Sequence, residues 1–269
     1  MMRGMSWPSN HRIMRVARAC EGAESGSGSL VRYPLAGIVL VLVAIGAFMS
    51  PLTVRPASRQ AATKGAPAAR APDLSGVWME REAQNTFTSK EPALQPWAEA
   101  KYKAAKPGYG PRASAQSEDP ILSCSPPGVP RIMLVPFPMQ IVQTPGLIVM
   151  LFEYDHFTRQ IYLDRREHSQ NLDPTWMGES IGRWEGDTLV VDTVGLNDKT
   201  WLDQVGHPHS DRLHVVERIR RTSHDTLQDD VTIDDPKAYT APWTGQQVFK
   251  LRPNWHLIEY VCEDMQPGK

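Results

Sequence analysis

Alternation of apolar and polar positions with a period of two dominates the second half of the chain. Residues 213–221 place Leu213, Val215, Glu217 and Ile219 on one face and His214, Val216, Arg218 and Arg220 on the other. Residues 139–143, 147–153, 160–164, 179–184, 188–194, 226–233, 247–251 and 255–262 also read as strands, with residues 74–78 as the first. Tight turns separate many of them: Thr144-Pro145-Gly146, Glu185-Gly186-Asp187, Ser223-His224-Asp225 and Pro253-Asn254. One short helix is predicted over residues 96–105, where Pro96 suits the first turn and Pro107-Gly108 ends it. Residues 109–131 read as loop, since Pro120, Pro126, Pro127 and Pro130 block regular structure. Successive strands with almost no helix between them imply an antiparallel meander. Roughly ten such strands curl and close, because closure removes exposed edges. The expected fold is therefore mainly β, an antiparallel up-and-down barrel with one short helix; a sandwich is the alternative.

The first part of the chain follows another pattern. Residues 34–49 form an uncharged apolar run preceded by Arg12, Arg15, Arg18 and Arg32, the basic-then-apolar layout of an export signal. Without a clean small-x-small cleavage site, an uncleaved N-terminal membrane anchor is the alternative. Residues before Leu30 look unlike a signal, so the true start is expected later than Met1. The predicted organisation is an N-terminal extension (1–33), a signal or anchor (34–50), an Ala/Pro-rich linker (51–72) and a β-barrel domain (73–269). The expected location is periplasmic or extracellular, with membrane contact only through the apolar segment.

Charge is partitioned in the same way. Residues 1–72 carry nine of the 29 Lys and Arg and two of the 30 acids, which leaves 20 basic against 28 acidic groups, near −8, on the rest. An acidic domain is a poor partner for polyanions, which argues against nucleic acid. Of three cysteines, Cys20 precedes the apolar run, and Cys124 and Cys262 remain in the domain. An even number in an exported domain predicts a Cys124–Cys262 disulfide; two buried free thiols are the alternative.

The strand pattern carries chemistry. The apolar face of residues 213–221 should point inward and take Glu217 with it. Trp255, Leu257, Glu259 and Val261 repeat the pattern less cleanly. A carboxyl in such a place must be paired, hydrogen-bonded or protonated. Two inward acids could act as proton donor and acceptor, or each could be an internal ion pair, with Arg166 or Arg183 as candidate partners.

Ionisable groups are densest between residues 197 and 217, which hold three histidines, three aspartates, Trp201 and Glu217. His207-Pro208-His209, followed by His214, offers three imidazoles, with Asp203 and Asp211 nearby. His207 or His209 could serve as a base, with Asp203 orienting it and Glu217 as a buried acid. His-x-His also suits a metal, though loops that only cap hydrogen bonds use such histidines too; no cofactor is expected. Trp176, Met177, Asn197, Asp198, Trp201, His214 and Glu259 are candidate ligand-binding residues, the loop aromatics either lining a barrel mouth or completing the core. Residues 234–243 lack calcium-loop spacing. No Gly-x-Ser-x-Gly, Gly-x-Gly-x-x-Gly or Walker loop is present, so a serine hydrolase or a nucleotide-binding enzyme is not indicated.

Several long motifs carry a resemblance: Cys-Ser-Pro-Pro-Gly-Val-Pro-Arg (124–131), Gln-Ile-Val-Gln-Thr-Pro-Gly (140–146), Gly-Arg-Trp-Glu-Gly-Asp-Thr-Leu-Val-Val-Asp-Thr (182–193), Asn-Asp-Lys-Thr-Trp-Leu-Asp (197–203), Gly-His-Pro-His-Ser (206–210) and Glu-Tyr-Val-Cys-Glu (259–263). Across residues 73–265 the chain resembles a large group of exported bacterial proteins of unknown function, which implies no particular activity. Gly76-Val77-Trp78 is similar to the first strand of lipocalins, which implies a lipocalin-like (calycin-like) barrel and lends weight to an apolar ligand. The leading expectation is an exported binding protein for a small, largely apolar molecule held in a barrel cavity. The alternatives are an acid/base enzyme (isomerase, lyase or hydrolase) in the same cavity and an envelope structural protein without ligand.

Overall fold

The structure is a computed structural model that describes residues 71–164 and 167–265. The expected N-terminal extension and the apolar run lie outside the described residues, as do nearly all of the linker and Arg166. Among the described residues, no helix is long and apolar enough to cross a membrane.

Nine strands among these residues close into a barrel: β1 (Gly76–Glu80), β2 (Met139–Gln143), β3 (Leu147–Phe152), β4 (Thr158–Tyr162), β5 (Glu179–Glu185), β6 (Thr188–Val194), β7 (His214–Ser223), β8 (Thr226–Asp234) and β9 (Trp243–Leu251). Each pairs with its sequence neighbour, and β9 returns antiparallel to β1, with Trp78 opposite Leu251. One helix, α1 (Pro96–Ala104), falls where the proline and the Pro107-Gly108 stop place it.

Two features depart from a plain up-and-down meander. β4 and β5 pair in parallel, Ile161 opposite Ser180, so β5 begins at the same end of the barrel as β4. Residues 255–262 form no strand. The tenth strand expected there is unnecessary, because β9 starts earlier than its apolar run suggests and closes the ring on β1. Trp255 and Glu259 are consequently exposed rather than aimed inward.

The period-two pattern decides what fills the barrel. Trp78, Ile148, Met150, Ile161, Leu189, Val191, Val215, Ile219, Leu227 and Ile233 are all 0 % exposed, so water-sized space beside them is excluded and this belt of the interior is core. Each such side chain contributes about 1.5–3 kcal/mol through burial. Tight turns join strands at one end. The long connections gather at the other: residues 81–138, 195–213 and 235–242. There the segment after β1 reaches over the rim. Gly245 on the inner face of β9 accommodates it, since a Cβ at that position would lie 2.3 Å from the Phe87 carbonyl oxygen.

The C-terminal segment is held by the Cys124–Cys262 disulfide, with Cα atoms 5.6 Å apart. Tyr154 and Tyr260 pack there at 5.4 Å, and Phe137 and Tyr260 at 4.5 Å between ring centroids.

Candidate functional site

Two clusters of chemically capable groups occupy different places. The first lies inside the barrel. Arg159, from β4, uses both arms of its guanidinium on Glu217: Nη1 donates to Oε1 at 2.9 Å and Nη2 to Oε2. Nε donates to Ser180 Oγ at 3.1 Å and Nη2 also to Thr193 Oγ1 at 2.9 Å. Burial alone would depress the Arg159 guanidinium, but the Glu217 carboxylate outweighs it and holds the guanidinium above its ordinary value. The partner is thus neither Arg166 nor Arg183; Arg183 pairs with Glu185 on the outer surface. Strand parity explains the choice, since alternate residues of β4, β5, β6 and β7 face inward together.

Next to this pair sits Asp229, 1 % exposed, whose two carboxyl oxygens have no hydrogen-bond partner among the described residues. Burial, reinforced by the charge of Glu217, pushes its carboxyl well above the usual range, which favours the protonated acid. Opposite Asp229 on the neighbouring strand, Gln247 Nε2 donates to Glu80 Oε2 at 2.9 Å. Burial lifts Glu80 from 4.5 to about 7, opposed by the Gln247 hydrogen bond. The folded chain therefore holds more protons than the unfolded chain between those two values. The stability contributed by a neutral Glu80 is present in full below the unfolded pKa, falls as pH rises and is gone above the folded one. Urea midpoints are expected to drop between pH 5 and pH 8 by the equivalent of roughly 1–3 kcal/mol from this group. Glu80→Gln should remove that share of the slope, and an unchanged slope would refute the assignment.

The second cluster sits over the end that carries the long connections. Asp203 is fully buried, and its Oδ1 accepts from the backbone N–H groups of Val205, Gly206 and His207, each at 3.1 Å. Its Oδ2 lies 2.5 Å from His207 Nδ1. This loop geometry follows from sequence: Gly206 takes φ +95°, which brings three successive N–H groups onto one carboxylate oxygen. The other ring nitrogen of His207, Nε2, lies 3.2 Å from Oε1 of Glu91, whose side chain is 58 % exposed. The imidazole stacks on Tyr102 of α1 at 4.5 Å and faces Trp243, the first residue of β9, at 6.0 Å. Arg112 lies over the Tyr102 ring at 3.8 Å. Burial would lower the His207 imidazole, but Asp203 and Glu91 outweigh it and hold it above its ordinary value. Asp203 moves the opposite way, held low by His207 against its own burial.

The remaining expected site residues divide as follows. His209 is 2 % exposed but separate from Asp203; its Nδ1 lies 3.2 Å from the Ser210 carbonyl and its Nε2 has no partner among the described residues. Burial lowers its imidazole. Ser210 and Tyr239 stitch this loop to residues 235–242, Ser210 Oγ donating to Asp235 at 2.7 Å and Tyr239 Oη to the Pro208 carbonyl at 2.8 Å. His214 is on the outer wall, its Nε2 3.0 Å from Asp192, which His168 also meets at 2.9 Å. Burial would raise Asp192, and these two imidazoles turn the balance to hold it low. Trp201 is buried with the Arg131 guanidinium 5.9 Å away, whereas Trp176, Met177 and Asn197 are half-buried and Asp198 is exposed. Asn197 Oδ1 accepts from the Lys199 N–H at 3.2 Å, a local turn contact. Glu217 is committed to Arg159 and does not meet His207. Glu259 is exposed because no strand forms there.

Sequence reasoning thus found Asp203, His207 and the inward Glu217. It missed Arg159, Asp229, Glu80 and Gln247, although each sits at an alternate position of an apolar strand face and parity alone could have flagged them. It also missed Glu91, Tyr102 and Arg112, which only folding of the long β1–β2 connection brings to His207. No group of three or more His, Cys, Asp or Glu among the described residues is arranged to hold a metal ion. No protein-family model matches the chain, and no curated protein matches it in sequence.

Proposed function

We propose that this is an exported binding protein for a small molecule with an apolar body, taken up beside His207 rather than within the packed belt of the barrel. One observation carries this reading. His207 is buried and pinned through Nδ1 by Asp203, and its other nitrogen is turned toward an exposed side chain between two aromatic rings. A polar recognition group fixed in advance among aromatic surfaces is the usual build of a small-molecule site. The Cys124–Cys262 bridge and the acidic domain suit an oxidising, extracytoplasmic location, and residues 34–50 would serve as signal or anchor. Charge disfavours nucleic acid as partner.

Native mass spectrometry of protein extracted from its own host tests the reading. The expected result is a co-purifying small molecule that is lost from His207→Gln. A bare mass, together with no thermal stabilisation by any member of a varied small-molecule library, would overturn it and leave the envelope structural role, which a filled interior also suits.

The Asp203–His207 pair favours a second reading, acid/base catalysis, with Asp203 holding the imidazole orientation and His207 exchanging a proton through Nε2. Chemical alteration of the bound molecule on incubation with the wild type, abolished in Asp203→Asn, is the expected result under that reading. Recovery of the molecule unchanged would refute it.

A further inference from the structure

The polar side chains inside the barrel are answered along one arc and not along the other. From β4 to β7, Arg159 commits all three guanidinium nitrogens to Ser180, Thr193 and Glu217. From β8 to β1, Asp229, Gln247 and Glu80 are buried, and the amide nitrogen of Gln247 goes to Glu80. That leaves three buried acceptors, Asp229 Oδ1 and Oδ2 and Gln247 Oε1, without a partner among the described residues. Asp229 and Gln247 are direct partners across the β8–β9 pair, which puts their Cβ atoms about 4.5–5.5 Å apart. Acceptor oxygens brought together with no hydrogen between them repel, and leaving them unpaired in a core is costly.

We propose that this arc of the barrel binds one ammonium ion, held by the Asp229 carboxylate and the Gln247 amide oxygen. The site is separate from His207 and does not depend on the reading given above. All three unpartnered atoms are acceptors, so the missing group is a donor. The interior set holds one guanidinium, Arg159, against three carboxyls, Glu217, Asp229 and Glu80, so a positively charged donor suits it better than a neutral one. Ammonium has N–H groups enough for all three oxygens, as the head of a lysine does. It brings no carbon body, for which the buried Leu227 and Val231 on either side of Asp229 along β8 leave no place. A metal suits the arc less well, because no group of three or more His, Cys, Asp or Glu among the described residues is arranged to hold one. Without the cation, burial and the charge of Glu217 favour protonated Asp229. Uptake therefore breaks the Asp229 O–H bond, sends that proton to solvent and lets the carboxylate accept from the ammonium N–H groups. Glu217 and Arg159 approach Asp229 from one side and Gln247 and Glu80 from the other, while Asp230 accepts from Gln228 and Gln246.

Equilibrium urea unfolding of the full-length protein tests the site, run in ammonium, potassium and tetramethylammonium chloride at equal ionic strength. The unfolded chain loads the ion as it refolds, so no entry path through the closed barrel is needed. Potassium carries the charge but donates no hydrogen bond, and tetramethylammonium is in addition too bulky for the arc. Ammonium should lower the unfolding equilibrium constant about elevenfold at ten times its dissociation constant, and the other two should leave it unchanged. Its apparent affinity should rise with pH, by up to about tenfold per pH unit while Asp229 stays protonated in the empty barrel. Asp229→Asn keeps the shape, removes the charge and offers Gln247 a donor of its own, so it should fold and be indifferent to ammonium. Gln247→Met leaves Asp229 in place and should weaken the ammonium effect about tenfold. Equal responses to ammonium and potassium would overturn the inference, as would an ammonium effect that survives Asp229→Asn or does not change with pH. Asp229 would then stand as a protonated acid whose own hydrogen serves its neighbours.

Discussion

Glu217→Ala is expected to destabilise the domain by about 3–5 kcal/mol, the largest effect of any single substitution in the barrel. The loss is not that of one contact. The Arg159 guanidinium, 1 % exposed, would lose its bidentate partner and keep Ser180 and Thr193 as hydrogen-bond acceptors, with the neighbouring Asp229 carboxyl as the one acid left to offset its charge. Leaving one buried charge without its counterion costs far more than forming the pair gains. Glu217→Gln retains shape and an acceptor oxygen, so it should cost less. Arg159→Met combined with Glu217→Leu removes both charges at near-constant volume and should recover most of the loss. Urea denaturation followed by circular dichroism gives the cycle. A cost under about 1 kcal/mol for Glu217→Ala would show that water enters the barrel and solvates Arg159, contrary to the close packing described above.

Reduction of the Cys124–Cys262 bridge should have the second-largest effect. The bridge spans 138 residues, for which loop-closure entropy in the unfolded chain gives at most ~5 kcal/mol, with 2–5 kcal/mol the usual measured range. The ring of strands does not depend on the bridge, because β9 closes on β1 before the C-terminal segment begins. The reduced protein is therefore expected to keep its β-sheet circular dichroism in native buffer while unfolding at lower urea. It should also become susceptible to proteolysis beyond β9, where the Tyr154–Tyr260 packing and the Cys262 N–H bond to Asp155 at 3.1 Å would lose their anchor. Identical urea midpoints with and without reductant would contradict this.

Much of the barrel was legible in the sequence because a strand exposes its logic locally. Alternating positions in β7 and β8 state both the element and its inner face, and Glu217 could be placed inside by parity alone. The parallel β4–β5 pair and the non-strand C-terminal segment were not legible. The alternation in residues 255–262 is real, yet no edge remains for a tenth strand once β9 and β1 have paired. The second half of the histidine-loop site was equally hidden. Asp203 and His207 are four residues apart and announce each other, whereas Glu91 and Tyr102 lie more than a hundred residues away.

By itself, then, the sequence determined the β class, the strand faces, the helix, the cysteine pairing and the Asp203–His207 neighbourhood, all of which follow from spacing or residue count within the chain. Tertiary structure alone decided that Arg159 answers Glu217, that the belt between them is filled, that His214 turns outward to Asp192, and that Glu91 closes over His207. Those are contacts between distant segments, set by barrel closure and by the path of the β1–β2 connection across the rim. Local periodicity carries no record of either.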